Sequence, residues 1–211
     1  MQEQGPRQAD SDVQLAAGLL RLAHTALDEA TAAPTRSPAG GGKGMAALDR
    51  ALGELQGMVE ELAPTRPTVG VTAAAGIRTV ITGMYVAEDV GRMAVLARQV
   101  GDIAWARRSK PPLAASVADP LRDIGEAALR LIDQAHASVL SPVAGPIPDA
   151  SSADIEDRQS RLVRALLSVS GLDVMDAVDA AVLSRCYAEC ARRAASVAAH
   201  VALLRETTPQ D

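Results

Sequence analysis

Apolar positions along this chain recur with the period of a helix, and nowhere do they alternate for long enough to predict a strand. Residues 45–62 display the helical period plainly, because apolar side chains return there every three or four positions. Clusters of proline and glycine interrupt the pattern and divide the chain into six segments. We predict helices at residues 13–33, 45–62, 69–107, 120–139, 153–169 and 173–205.

Residues near the ends of these segments indicate where the helices begin. The Asp-Ser-Asp sequence at 10–12 offers an N-cap for the first helix, and Pro120 suits the first turn of the fourth. Residues 34–44 and 141–152 are rich in proline and glycine. We therefore predict loops for these two segments.

The segments follow the order medium, medium, long, and then repeat it. A sequence pattern repeats with them: residues 86–97 read V-A-E-D-V-G-R-M-A-V-L-A, and residues 187–198 read Y-A-E-C-A-R-R-A-A-S-V-A. Recurrence after about 100 residues predicts two copies of one unit. We expect an all-α protein made of two tandem three-helix bundles, residues 1–109 and 110–211, divided near Ser109.

Both copies of the pattern place an arginine four residues after a glutamate, at Glu88 and Arg92 and at Glu189 and Arg193. An ion pair at this spacing, with the glutamate first, contributes about 0.3 kcal/mol to an isolated helix. One interpretation is therefore an ordinary surface pair. Because the pattern recurs at equivalent points of both long helices among small residues, we also interpret it as an inherited position on a closely packed helix.

Composition narrows the class of protein. Apolar residues make up 48% of the chain, with no phenylalanine, one tryptophan and two tyrosines, which favours close packing of helices over a sheet. The formal net charge of −5 argues against non-specific binding to nucleic acid, since such binding depends on a positive field.

The sequence predicts a cytoplasmic protein. Residues 1–12 are polar and lack the apolar run of a signal peptide, and no stretch approaches the roughly 18 apolar residues of a membrane span. Cys186 and Cys190 lie one helical turn apart, where a disulfide is geometrically poor. A reducing compartment fits them best.

Several residues suggest chemistry at first sight. The sequence G-G-G-K-G around Lys43 departs from a phosphate-binding loop, since Ser37 replaces the first glycine and Gly44 replaces the final Ser or Thr, so a flexible connection is the better interpretation. Cys186, Cys190 and His200 are candidate metal ligands, but His200 lies about 15 Å along the helix from Cys190. We therefore interpret the cysteines as buried thiols in an alanine-rich seam.

Catalysis has no support in the sequence. His24 and His136 lie in the first helix of each half, with no Ser or Cys placed beside them as a nucleophile. No constellation of His, Asp and Glu has the spacing of metal ligands in an enzyme. We predict a protein that is not an enzyme and needs no cofactor.

The two long helices resemble the signature helices of the PhoU family of phosphate-signalling regulators. Each repeat of that family carries a segment of the type D-L-E-R-I-G-D-H-A-V-N-I-A. The first copy here aligns with it without gaps, and four of its residues fall on the family's Glu, Gly, Ala and Val; these are Glu88, Gly91, Ala94 and Val95. In the second copy Glu189 and Ala195 match in the same way. The resemblance covers the whole chain in helix order, while its specific motifs are confined to these two helices.

One departure from the family pattern concerns metal. In that family the Glu and an Asp four residues later form a surface in each repeat that can hold iron or zinc. Here Arg92 and Arg193 occupy both Asp positions. An arginine cannot ligate a hard cation and stays protonated in a protein. We therefore expect the fold to be kept and the metal sites at Glu88, Arg92, Glu189 and Arg193 to be lost.

The resemblance implies two functions to weigh. The first is a regulatory adaptor that contacts the ATPase of a phosphate ABC transporter and a membrane sensor kinase, and damps the phosphate-starvation response. The alternative is a divergent helical scaffold that kept the bundle and serves another pathway, which the loss of both acidic motifs favours. An alanine-rich surface could support a homodimer, as in many members of that family.

Overall fold

A computed structural model of the chain describes residues 4–32, 41–62, 74–141 and 149–206, and this part of the chain is helical throughout apart from short turns. The prediction of an all-α protein is confirmed. The six helices are α1 (Gln4–Ala32), α2 (Gly41–Leu62), α3 (Ala74–Arg107), α4 (Ala115–Leu140), α5 (Asp149–Ser168) and α6 (Val174–Glu206).

Helices α1 and α4 begin five or more residues before their predicted starts. Helix α1 begins at Gln4, so that the cap predicted at residues 10–12 lies inside the helix. Pro6 is compatible with the early start, because a proline is tolerated in a first turn where no backbone N–H needs a partner. Helix α4 begins at Ala115, which places Pro120 inside the helix and not in its first turn. The added turn buries Val117 completely, and this gain offsets the hydrogen bond that Pro120 cannot make.

Two segments predicted as loops are partly helical. Residues 41–44 form the first turn of α2, and residues 149–152 form the first turn of α5. In both helices the residues that come next already form a helix packed on the bundle. Because each residue added to an existing helix gains one hydrogen bond, extending the helix toward its N-terminus by one turn has a small cost. Residues 34–40 and 142–148 of the predicted loops, and the predicted start of α3 at 69–73, lie outside the described residues.

The helices pack as two groups of three with a shared interior. Helices α1, α2 and α3 contact one another, as do α4, α5 and α6, and the halves meet where α3 packs on α6 and α1 packs on α4. A single cluster of buried side chains includes residues from all six helices. Much of that cluster is alanine, which lets helix axes approach closely. The architecture is therefore two three-helix bundles, as predicted. The division of the chain near Ser109 stays a prediction. Ser109 itself lies in the turn between α3 and α4.

The two long helices run antiparallel along the middle of the molecule. Residue numbers fall on α3 as they rise on α6: Arg107 contacts Asp176, while Asp89 contacts Arg193 at the other end. Between these points the Cys186 thiol lies 3.4 Å from Gln99 Oε1. The repeated Ala-Glu segments of the two halves therefore both lie at the interface between α3 and α6, which we call the seam.

Tyr187 fixes α6 against two helices of the bundle. Thr31 Oγ1 donates to the Leu27 carbonyl at 2.7 Å, so the Tyr187 hydroxyl is the donor in its 3.0 Å hydrogen bond to Thr31 Oγ1. On α4, a Cβ added at Gly125 would lie 3.4 Å from the tyrosine ring. Burial raises the pKa of Tyr187 to about 12. One aromatic side chain thus holds α6 to both halves.

The start of α6 is set by its own local chemistry. Gly171 adopts a positive φ of 76° in the turn after α5, a conformation that glycine reaches without strain. Asp173 then caps the helix, because its Oδ1 accepts hydrogen bonds from the backbone N–H groups of Met175 at 2.8 Å and Asp176 at 3.3 Å. These two residues therefore set where α6 begins.

Candidate functional site

The two repeated segments meet in a cluster of charged side chains between α3 and α6. Asp89 is 5% exposed, and Arg193 reaches it from α6, with Nη1 donating to Asp89 Oδ1 at 2.7 Å. The same guanidinium donates through Nε to Glu189 Oε1 at 2.9 Å. Arg193 thus joins a carboxylate of each half, and we call Asp89, Glu189 and Arg193 the seam cluster.

The ion pair predicted within the second copy is present and is part of this cluster. Glu189 accepts hydrogen bonds from Arg193 and also from Arg192. Burial alone would raise the pKa of Glu189, but these two hydrogen bonds outweigh it, so the pKa lies below its usual value. Its hydrogen bonds to Asp89, the larger effect, and to Glu189 both raise the pKa of Arg193. Glu189 and Arg193 therefore both keep their charge near neutral pH.

The ion pair predicted within the first copy is absent. Glu88 and Arg92 are both exposed on α3, and no hydrogen bond or ion pair joins them. An exposed pair gains little over two hydrated charges, so nothing compels these side chains to meet. The two copies of the motif therefore differ: one is drawn into the seam and the other faces solvent.

Asp89 is the member of the seam cluster that the sequence analysis missed. It follows Glu88 directly and attracted no notice beside the repeated glutamate. Its neighbours one turn away, Val86 and Met93, are buried, as is Val90. A charged residue within an apolar helical stripe is the signal that could have revealed it, since such a residue needs a partner of opposite charge.

His200 completes the surroundings of Asp89. Its Nδ1 lies 3.8 Å from Asp89 Oδ2, and its ring stacks on Tyr85 with centroids 5.0 Å apart and planes inclined by 13°. His200 Nδ1 is buried without a hydrogen-bond partner among the described residues. The imidazole thus lies beside the seam cluster and not beside the cysteines, which are about three and four turns earlier on α6.

The cysteines occupy the seam as buried thiols. Cys186 lies against Gln99, and the Cys190 thiol lies 4.0 Å from the Met93 carbonyl oxygen. Burial raises the pKa of both thiols, which suppresses the thiolate form that reacts or binds metal. Among the described residues, no three side chains of His, Cys, Asp or Glu are grouped as a metal ion requires. The candidate ligand set of Cys186, Cys190 and His200 is not brought together.

The remaining candidates lie elsewhere. His24 on α1 lies 3.5 Å from Asp133 on α4, and His136 is half-buried on α4. The backbone of Lys43 is in the first turn of α2, while its side chain is outside the described residues. Neither histidine has a described Ser or Cys as a hydrogen-bond partner.

A second ion-pair group ties the opposite end of the seam. Arg107 Nη1 donates to Asp176 Oδ1 at 2.7 Å and to Asp179 Oδ2 at 2.9 Å. Burial alone would lower the pKa of Arg107, but the two hydrogen bonds outweigh it and raise the pKa. The hydrogen bond from Arg107 also lowers the pKa of Asp176. Charged side chains thus fasten α3 to α6 near both ends of their contact.

A cavity of about 250 Å³ opens beside Glu189, between α4, α5 and α6. Its polar lining comes from Glu156, Gln159, Arg185, Glu189 and Arg192. Two arginines and two glutamates give it no net charge, and Gln159 Nε2 already donates to Ser184. The net charge of the lining therefore favours neither an anion nor a cation.

The fold of the chain matches that of a solved protein structure. The chain superposes on the crystal structure of PhoU from Pseudomonas aeruginosa with a TM-score of 0.72, covering 97% of this chain and 98% of that chain. Sequence identity over this match is 15%, so the resemblance lies in the fold. No protein-family profile and no curated protein sequence matches the chain. The fold that the two signature helices predicted is confirmed: this is a divergent PhoU-like structure.

Removing Arg193 should destabilise the protein far more than removing its neighbour. Arg193→Ala removes the cation that is hydrogen-bonded to the buried Asp89 carboxylate and leaves only His200 Nδ1 near it, at 3.8 Å. We expect a loss of about 3 kcal/mol in the free energy of unfolding. Arg192 is 63% exposed, and Arg192→Ala should cost about 0.5 kcal/mol. Urea unfolding monitored by circular dichroism measures both. Equal losses in the two variants would contradict the role given to the seam cluster.

The pair between Arg107 and Asp176 should make stability depend on pH in the acid range. The folded-state pKa of Asp176 lies below its unfolded value of about 3.9, so its contribution is complete above that value and lost as pH falls through the folded pKa. Asp176→Asn should therefore destabilise the protein at pH 7, and the difference from wild type should shrink below about pH 4. Urea midpoints at both pH values test this, and a difference that stays constant would contradict it.

Proposed function

We propose that the protein is a non-enzymatic regulator of phosphate uptake and signalling. The observation that carries the proposal is the match to PhoU along nearly the whole length of both chains, with the two signature helices paired at the centre. A fold alone does not define a function, so the proposal also rests on the resemblance of the residues at 86–97 and 187–198. Both lines of support point to the same class of protein.

The regulator would act by binding other proteins through its helix faces. The partners implied by the resemblance are the ATPase of a phosphate ABC transporter and a membrane sensor kinase, with a second copy of the chain as a further partner. None of the described helices combines the length and apolarity that a membrane crossing requires. Contact with a membrane would then come through those partners, at its cytoplasmic face.

Charge pairing would replace metal in this protein. Arg193 occupies a position where the resemblance implies a metal-binding Asp, and its guanidinium bridges Asp89 and Glu189. A fixed cation between two carboxylates supplies the neutralisation that a bound ion would otherwise give. We propose that the seam of this protein is held without iron or zinc.

The arginines also favour a second candidate function. A bundle that lost both acidic surfaces could serve as a scaffold in another pathway, keeping the fold for its packing alone. The two candidates differ in partners, since only the first requires a phosphate transporter or its sensor kinase. A cellular readout of phosphate starvation separates them.

Deleting the gene should switch on the phosphate-starvation response in phosphate-rich medium. The regulator predicts a rise in a starvation reporter on deletion and its return to the basal level on complementation with the wild-type chain. Affinity purification from the complemented, phosphate-replete cells should recover the transporter ATPase or the sensor kinase. An unchanged reporter together with recovery of neither partner would leave the scaffold function and exclude the regulator.

Restoring a carboxylate at position 193 should create metal affinity. Arg193→Asp would add a third carboxylate beside those of Asp89 and Glu189. Three carboxylates make an oxygen-rich site for a divalent ion. We expect zinc to be retained after dialysis by this variant and not by wild type, measured by elemental analysis. Arg130→Asp on α4, where Glu126 stands four residues earlier, is the matched control and should retain none. Stoichiometric iron or zinc in the wild-type protein would overturn the proposal.

A further inference from the structure

The cavity beside Glu189 is lined by a cation that has no partner within the described chain. Of the arginines on α6 whose side chains the structure describes, Arg185 alone has no hydrogen bond or ion pair to another described residue. Glu189 lies one turn further along α6, but its two carboxylate oxygens accept from Arg192 and Arg193. Arg185 therefore brings an unpaired guanidinium to the lining of the cavity.

Glu156 brings an unpaired anion to the same cavity from α5. Its carboxylate forms no hydrogen bond or ion pair with another described residue. The nearest arginine on its own helix, Arg158, donates instead to Asp154 at 2.9 Å. Glu156 and Arg185 thus line one cavity from two helices without pairing with each other. A ligand that carries both charges would satisfy both side chains.

A hydrogen bond between α5 and α6 shows that these two charges are close enough for one small ligand. Gln159 Nε2 donates to Ser184 Oγ at 3.3 Å, which places the two residues opposite each other. Arg185 directly follows Ser184, and Glu156 precedes Gln159 by about one turn of α5. Both charges therefore lie within about one helical turn of the same point. A ligand with its cation and anion on neighbouring atoms matches this separation.

The rest of the lining is apolar and limits the size of the ligand. Leu131, Ile155 and Ala191 are between 1% and 5% exposed and line the cavity beside the charged groups. Such a surface removes an aliphatic side chain from water, which favours binding. The volume of about 250 Å³ equals that of about eight water molecules in the liquid. The cavity therefore suits a ligand of about eight non-hydrogen atoms.

We propose that this cavity binds a small aliphatic α-amino acid, with the ligand carboxylate on Arg185 and the ligand ammonium on Glu156. Guanidinium–carboxylate and ammonium–carboxylate contacts are charge-assisted hydrogen bonds, which are the strong ones in proteins. A lone anion or a lone cation leaves one of the two side chains unpaired, whereas a zwitterion pairs both. The site goes beyond the proposed function, since it adds a small-molecule ligand and does not rest on phosphate signalling.

L-Valine and two analogues of the same size test the requirement for both charges. Amide NMR spectra of the isotope-labelled protein, recorded at about pH 6 to keep the ligand amine protonated, should show L-valine shifting the signals around the cavity. We expect a dissociation constant of about 1 mM for so small a ligand. The α-hydroxy analogue of L-valine lacks the cation, and L-valinamide lacks the anion. Each analogue should bind at least about tenfold more weakly.

Neutral variants of the two side chains assign each ligand charge to its partner. Arg185→Gln should weaken L-valine binding about tenfold and abolish the preference for L-valine over L-valinamide. Glu156→Gln should do the same for the preference over the α-hydroxy analogue. Both side chains are exposed, so we expect both variants to fold, and circular dichroism checks this. The matched controls Arg130→Gln and Glu126→Gln on α4 lie outside the cavity lining and should leave binding unchanged.

Three results would overturn the assignment of this ligand. L-Valine at about 20 mM, well above the expected dissociation constant, could shift no amide signal around the cavity. Either analogue could bind as tightly as L-valine, which would remove the requirement for two charges. The controls on α4 could weaken binding as much as the cavity variants do. None of these results bears on the starvation reporter, and an unchanged reporter would not bear on amino-acid binding.

Discussion

The contact between Asp89 and Arg193 is the constraint on which the centre of this structure depends. A buried carboxylate is tolerated only with a fixed opposite charge, and Arg193 supplies it from the other half of the chain. That requirement sets the register of α3 against α6, because a shift by one turn would separate the two groups. The Arg107 contacts with Asp176 and Asp179 repeat the constraint at the far end. With both ends held, the small residues between them pack in a single register of α3 against α6.

The seam also explains why the two copies of the motif have separated in role. Glu189 is drawn into the seam cluster, where hydrogen bonds from two arginines lower its pKa. Its counterpart Glu88 lies on the outward side of α3, while the adjacent Asp89 takes the inward position. One residue of offset on a helix is a rotation of about 100°, which is enough to move a carboxylate from the interior to the surface. An internal repeat thus produces one structural site and one outward surface.

Much of the fold could be predicted from the sequence, and the site only in part. Helical periodicity and proline clusters gave the number and order of helices, because these signals are local. The predicted start of α4 was wrong, because the stabilisation from burying Val117 outweighs the preference of Pro120 for the first turn of a helix. The pair of Glu189 and Arg193 was predictable from its spacing of one turn. The pair of Asp89 and Arg193 spans 104 positions, and it required the antiparallel docking of α3 on α6 to be known.

The positions of the two cysteines have a consequence for measuring motion. Both thiols of the chain lie on α6 inside the seam, one against Gln99 and one against the Met93 carbonyl. A labelling reagent can reach them only while α3 and α6 are apart, so the rate of modification counts how often the halves separate. The natural cysteines therefore report on the transient separation of the two repeats, and no cysteine has to be introduced for the measurement.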